Sequence, residues 1–139
     1  MPLFFEHLHT VTPAEIDFQG HVSNEVYVRW LSEAAIAHSA AQGWPLEAYA
    51  ALGSGWVVRK HEIEYLHPAR VGDTLVIRTW VATIERATSL RRYVIKHQHG
   101  DERIAVACTL WAFVDLKTGR LTRIPARLAS SFEARDTLG

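Results

Sequence analysis

The chain has 139 residues, 48% of them apolar and 22% charged, with a formal net charge of zero. That length favours one domain, spanning residues 1–139, with enough apolar material for a packed core. The charge balance argues against a basic nucleic-acid-binding face, no apolar run reaches the length of a membrane span, and the lone cysteine, Cys108, excludes an internal disulfide.

The opening M-P-L-F-F-E-H lacks the cationic stretch and long apolar segment of a signal peptide, so a cytoplasmic location is expected. Residues 3–11 read as a strand, and residues 12–22, with Pro13 and Gly20, as a loop. From Asn24 to Gln42, apolar residues recur at Val26, Tyr27, Trp30, Leu31, Ala34, Ala35 and His38 or Ala41, which is one face of a helix. Glu25 suits its first turn, Asn24 is expected to cap it, and Gly43 with Pro45 stops it. A shorter helical piece is expected at 45–52.

After Gly53-Ser54-Gly55 the period changes. Residues 56–67, 74–85, 88–99 and 103–115 are rich in Val, Ile, Thr, Trp and Tyr, with breaks at Pro68, Gly72-Asp73, Glu85-Arg86 and Gly100-Asp101. Short links imply antiparallel neighbours. Each run would extend about 40 Å at ~3.3 Å per residue, and the helix about 27 Å at ~1.5 Å per residue. One long helix lying across a long, curved antiparallel sheet satisfies both lengths. Residues 104–114 are apolar on both faces, which predicts a strand covered on both sides. The helix covers one face, and another subunit is the simplest cover for the second.

The stretch from Glu15 to Trp30, E-I-D-F-Q-G-H-V-S-N-E-V-Y-V-R-W, carries the chemistry. Asp17 stands in a loop just before the helix, followed at once by Gly20 and His21. A carboxylate beside a helix N-terminus supplies a nucleophile or base together with backbone N–H donors for a developing oxyanion. That combination suits cleavage of an ester or thioester. Taken alone, Asp17 would be a turn aspartate, His21 a loop residue, and Tyr27 and Trp30 core residues at helical spacing.

The order strand, D-x-x-G-H-V loop, long helix and four long strands resembles the hot-dog fold. Asp17, Gly20, Val22, Tyr27, Arg29, Trp30 and Leu31 resemble the motif of thioesterases grouped with 4-hydroxybenzoyl-CoA thioesterase and acyl-CoA thioesterases. His21, Asn24, Tyr27, Trp30 and Glu33 are also similar to the acyl-carrier-protein version, and H-P-A-R-V-G-D-T-L (67–75) and F-V-D-L-K-T-G-R-L-T-R-I-P (113–125) extend the resemblance along the chain. It implies an α+β hot-dog domain, a long central helix wrapped by a curved antiparallel sheet of about five strands. It also implies an acyl-CoA thioesterase without metal or redox cofactor, coenzyme A entering only as part of the substrate. The acid at Asp17 would attack the carbonyl or activate a water, His21 would assist it, and the N–H at Asn24 would polarise the carbonyl oxygen. Ser23 and Asn24 stand where the aryl-CoA branch tends to carry aromatic residues, which points away from a hydroxybenzoyl group.

Gln19, Gly20, Val22 and Tyr27 are expected beside the substrate. Arg59, Lys60, Arg91 and Arg92 are expected to neutralise coenzyme A phosphates, a charged outer sheet face being the plainer alternative. His7-x-His9 and His97-x-His99 place paired imidazoles on strands without a neighbouring acid or cysteine in sequence, so solvated sheet residues are expected rather than metal ligands. A homodimer or homotetramer is expected, with no nucleic-acid or membrane partner. Two other functions fit the fold: a hydratase or dehydratase using Asp17 with His21, and a non-catalytic acyl-CoA-binding protein.

Overall fold

A computed structural model of the protein describes residues 4–137. The elements in order are β1 (Phe5–Thr10), a 3-10 turn (Pro13–Glu15), α1 (Asn24–Ala41), α2 (Leu46–Leu52), β2 (Ser54–Tyr65), β3 (Thr74–Ile84), β4 (Thr88–His97), β5 (Arg103–Asp115) and α3 (Ala126–Ala129). The strands form one antiparallel sheet in the order β1-β3-β4-β5-β2. This is the hot-dog arrangement that the long helix and the four long strands call for. Residue 3, the expected start of the first strand, lies outside the described residues.

The helix buries the face expected of it: Val26, Tyr27, Trp30, Leu31, Ala34, Ala35 and His38, with Ser39 beside them. Trp30, Leu31 and Ala34 have no exposed surface. They meet Leu75, Ile77, Tyr93, Ile95 and Ala105 from the concave side of β3, β4 and β5. The strand period of two therefore decides which residues reach the helix. On β4, Arg91, Tyr93 and Ile95 point inward, and Arg92, Val94 and Lys96 lie on the outer side. The bulge between Val58 and Lys60 shifts the register of β2 against β5.

β5 is interior, as its two apolar faces require, although β4 is the central strand. Its outer residues Val106 and Cys108 are half-buried in a groove shared with Arg92, Val94, Glu62 and Glu64. The chain's own tail reaches β3 and β4 rather than β5. Among the described residues β1 pairs with β3 from Thr74 to Thr79, and further along β3 the Arg135 N–H donates to the Val81 carbonyl at 2.9 Å. The Trp80 indole donates to the Asp136 carbonyl at 3.2 Å, and the Arg92 guanidinium pairs with the Asp136 carboxylate at 2.7 Å.

Two expectations for the strands are corrected. His9 is not a solvated sheet residue: the side chains of Phe5, His7 and His9 alternate toward the inner face, and His9 bonds Glu15. β4 ends at His97, so His99 lies beyond the strand, and Asp73 and Glu102 approach the His97 ring at 4.0 and 3.6 Å.

Ala34 sits fully buried on the helix face against the sheet, where a longer side chain has no room. Ala34→Leu should destabilise the fold by about 1–3 kcal/mol through overpacking. A urea titration checks this, and an unchanged midpoint would show that the helix has slack over the sheet.

Candidate active site

The loop that carries Asp17 is built on a buried carboxylate. Glu15 closes the 3-10 turn and is 4% exposed. Its Oε1 accepts hydrogen bonds from His9 Nε2 at 2.8 Å and from the Thr12 N–H at 2.9 Å. Its Oε2 accepts from Arg29 Nη2 and from the Trp30 indole N–H, both at 2.9 Å. One carboxylate thus ties β1, the turn and the first two turns of α1 together. The Glu15 carbonyl also accepts the Ser23 N–H at 3.0 Å, and Ile16 and Val22 form an antiparallel bridge. Residues 17–21 are left as a tight loop standing on that base.

Inside the loop, Asp17 Oδ1 accepts the N–H groups of Gln19 at 2.9 Å and His21 at 3.1 Å. The Asp17 N–H donates to the His21 carbonyl at 2.7 Å, and the Asp17 carbonyl accepts from Gly20 N–H at 3.1 Å. Gly20 has φ +81°, a conformation that side chains with a Cβ disfavour. The turn role expected of an isolated aspartate is therefore real. It occupies one carboxylate oxygen, and Oδ2 has no hydrogen bond among the described residues.

Immediately after the loop comes the helix start. Ser23 is the N-cap, and its side chain makes no capping hydrogen bond. Asn24 is already the first helical residue, so the expectation that its side chain caps the helix is corrected. The Val26 N–H bonds back to the Ser23 carbonyl at 3.0 Å, whereas the N–H groups of Asn24 and Glu25 find no acceptor among the described residues. The helix therefore starts uncapped, directly after the loop that anchors the Asp17 carboxylate.

The other expected residues fall into groups. Gln19, Gly20 and His21 are exposed on the loop around Asp17. The His21 contact with Asp17 is made by its backbone, and its ring has no hydrogen bond among the described residues. Val22 and Tyr27 are each 5% exposed and belong to the core; Tyr27 packs edge-on against Trp30 and Tyr65 at 5.0 Å. Their part is to fix the loop and helix start rather than to face open space. Arg59 and Lys60 are exposed at the β2 bulge, where Lys60 pairs with Glu62 at 2.7 Å. Glu33 pairs with Arg29 one helical turn away at 3.4 Å.

Arg91 is a correction. It does not lie on an outer cationic face with Arg92. It is 6% exposed and points inward, where Nη1 donates to His38 Nδ1 at 2.9 Å and to Thr79 Oγ1 at 3.1 Å. The regular alternation of β4 puts it there, on the same side as Tyr93 and Ile95. His38 lies about 21 Å along the helix from Asn24 at ~1.5 Å per residue, so Arg91 is remote from the Asp17 loop of its own chain. Around it opens a cavity of about 330 Å³ walled by Trp44, Tyr49, Trp56, Trp111, Leu128 and Phe132. The Ser39 hydroxyl, the Trp44 carbonyl, the Tyr49 hydroxyl and the Trp56 indole are joined by hydrogen bonds of 2.7–3.1 Å along one wall.

Glu15 is a functional residue that its sequence position does not announce. Its signal was T-P-A-E (12–15), the S/T-x-x-E spacing of a capping box. The partners His9, Arg29 and Trp30 were visible only once the chain was folded.

Two groups titrate unusually. Burial by itself would raise the Glu15 pKa, but hydrogen bonds from His9, the Thr12 N–H and Trp30, with the charge of His9, hold it down at about 2. Burial, aided by the Arg91 charge, lowers His38 to about 4, so His38 is the neutral acceptor of the Arg91 donor. Stability contributed by neutral His38 is present above its unfolded pKa of 6.5 and is lost as pH falls toward 4.

Comparison with known proteins assigns the family and supports the fold. The family model of the thioesterase-like superfamily matches residues 11–132, and the chain belongs to that superfamily. Among curated relatives, a chloroplastic palmitoyl-acyl carrier protein thioesterase from Cuphea hookeriana is 25% identical over 137 residues, 94% of this chain and 33% of that protein. A chloroplastic acyl-(acyl-carrier-protein) hydrolase from Cuphea viscosissima is 36% identical over 70 residues, half of this chain and 17% of that protein. The chain thus spans a third or less of these relatives' length. Among solved structures, a putative oleoyl thioesterase from Lactobacillus plantarum superposes with TM-score 0.88 at 20% identity, over 95% of this chain and 51% of that one. A 1,4-dihydroxy-2-naphthoyl-CoA thioesterase from Synechocystis superposes with TM-score 0.84 at 18% identity, over 92% and 94% of the two chains. At those identities the superpositions speak for the fold.

The Glu15 shift has a measurable sign. Its contribution is present above the unfolded pKa of 4.5 and lost as pH falls toward about 2. Glu15→Gln should cost about 3 kcal/mol at neutral pH and remove that part of the acid dependence. Denaturant titrations of both proteins at pH 7 and pH 3 check this, and equal stabilities at pH 7 would contradict it.

Proposed function

We propose that the protein hydrolyses acyl-CoA thioesters, with Asp17 as the reacting carboxylate and the start of α1 as the oxyanion site. The observation that carries this is the pairing of a tethered carboxylate with unengaged N–H groups. Asp17 is held through Oδ1, Oδ2 is unengaged, and the N–H groups of Asn24 and Glu25 have no acceptor among the described residues. Membership of the thioesterase-like superfamily supports the reaction class.

The carbonyl oxygen of the thioester would accept hydrogen bonds from those helix N–H groups. As the carbonyl carbon becomes tetrahedral, the oxygen gains negative charge and the bonds strengthen, which lowers the barrier. The attacking oxygen comes from Asp17 itself or from a water whose proton Asp17 takes. In the first route the C–S bond breaks, the thiolate leaves and takes a proton from solvent, and water then hydrolyses the mixed anhydride. In the second route the acid and thiol form directly. His21, on the same loop, would assist either route.

The coenzyme A phosphates would meet exposed Arg59 and Lys60. The Lys60–Glu62 pair is exposed, so it contributes little and exchanges readily for a phosphate contact. Arg92 pairs with Asp136 on the outer face and would have to leave that carboxylate to contribute. The named carrier-protein thioesterases among the relatives favour a second carrier, and parallel turnover of one acyl group on coenzyme A and on acyl carrier protein decides between them.

The site is proposed to complete itself between two copies of the chain. β2 is a sheet edge of 12 residues with Val57 and Val58 44% and 42% exposed, a template for pairing with a second copy. Light scattering at micromolar concentration should give a homodimer or a homotetramer, and a monodisperse monomer would contradict it.

Asparagine at position 17 keeps the shape and the turn hydrogen bonds but neither attacks nor takes a proton. Asp17→Asn should fold normally, bind substrate and lose roughly 10²–10⁴-fold in turnover. Thiol release over a panel of acyl-CoAs reads this out. Turnover near the wild-type value in that variant would remove Asp17 from the chemistry.

A further inference from the structure

Arg91 occupies a place where a guanidinium is costly. It is 6% exposed and lines the cavity at the far end of α1, whose walls are mostly aromatic and aliphatic. A buried charge needs a partner of opposite sign. Among the described residues no carboxylate lies within ion-pair distance of it. Its polar contacts there are His38 Nδ1 and Thr79 Oγ1, both made by Nη1. Neither acceptor carries negative charge, and His38 is held neutral by burial beside it. Guanidinium has five donors in a planar fork, and three of them, on Nε and Nη2, have no acceptor among the described residues.

The cavity, at about 330 Å³, is within the ~300–1,000 Å³ range of small-molecule sites. Its wall residues Ile36, Leu46 and Leu116 are 45%, 62% and 54% exposed, so it opens at the surface. A ligand that satisfies the whole site has an apolar body for the aromatic walls and a carboxylate for the fork, paired through two parallel hydrogen bonds. A hydroxyl would satisfy a donor but leave the charge unpaired.

We propose that this cavity is a binding site for an apolar carboxylate, seated with its carboxylate on Arg91. The site rests on the surroundings of Arg91 and stands independently of the Asp17 chemistry. Two molecules share the required group. One is the free acid that thioester hydrolysis releases. The other is an acyl group that carries a second carboxylate at its far end.

Calorimetric binding to the full chain tests the proposal, with octanoate against 1-octanol for the free acid. Hexadecanedioyl-CoA against hexadecanoyl-CoA on the Asp17→Asn variant tests the second source, with an acyl chain long enough to span the helix from its start to Arg91. At least a tenfold preference for the charged member of either pair supports the site and identifies its source. Arg91→Met should abolish that preference, and Arg91→Lys should retain part of it. Equal binding within both pairs, or a preference that survives Arg91→Met, overturns the proposal. If Arg91→Met does not fold, the wild-type octanoate comparison still decides the free-acid arm and the Asp17→Asn comparison the other. Binding is read without turnover, so failure here and failure of the thioesterase reading are separate results.

Discussion

The Glu15 carboxylate is the junction on which the rest of the site depends. It is buried, and its oxygens accept from donors on three elements: His9 on β1, the Thr12 N–H at the turn, and Arg29 and Trp30 on α1. Breaking such a network is more damaging than the worth of any one bond, because the remaining buried groups lose their partners. The same residue hands its carbonyl to Ser23 and so sets where the helix begins. The position of the Asp17 loop and the exposure of the first helix N–H groups are both consequences of this one anchored side chain.

The two ends of α1 then carry different chemistry. Its N-terminus is polar, uncapped and next to a carboxylate. Its C-terminal half is packed among aromatic rings: His38 stacks on Phe5 at 5.3 Å and meets Phe132 edge-on at 5.2 Å. α2, α3 and the end of β5 add Tyr49, Leu128 and Phe113 there. The sheet supplies a rigid wall to both ends, with the central strand β4 placing Tyr93 and Ile95 under the helix and Arg91 beside the cavity. Rigid elements of this kind hold polar groups more firmly than loops do, which matters for a buried cation.

Much of the fold was legible in the residues. The apolar recurrence from Val26 to His38 gave the helix and its buried face, because a period of 3.6 leaves little freedom about which side meets the core. The β-branched runs gave the long strands, and D-x-x-G-H-V gave the loop before the helix. Other features were not legible, for physical reasons. Arg91 and Arg92 look alike in sequence, yet strand alternation sends one inward and one outward, and a run with both polar and apolar residues on each side does not announce which face meets the core. His9 and Glu15 meet because β1 and the turn fold back on each other, a contact that spacing does not announce. Ser23 rather than Asn24 takes the position before the first helical residue, its backbone tied to Glu15, and leaves the helix start uncapped. The tail at Arg135 and Asp136 completes a sheet edge that has no pattern of its own in the sequence.

The central claim is that a thioester carbonyl sits between the Asp17 carboxylate and the first N–H groups of α1. A crystal structure with an acyl-CoA ketone analogue, in which a methylene replaces the thioester sulfur, tests it most directly. The account predicts the analogue's carbonyl oxygen within hydrogen-bond distance of the Asn24 or Glu25 N–H, and its carbon about 3–3.5 Å from an Asp17 oxygen. A fully ordered analogue whose carbonyl lies away from both groups would contradict it.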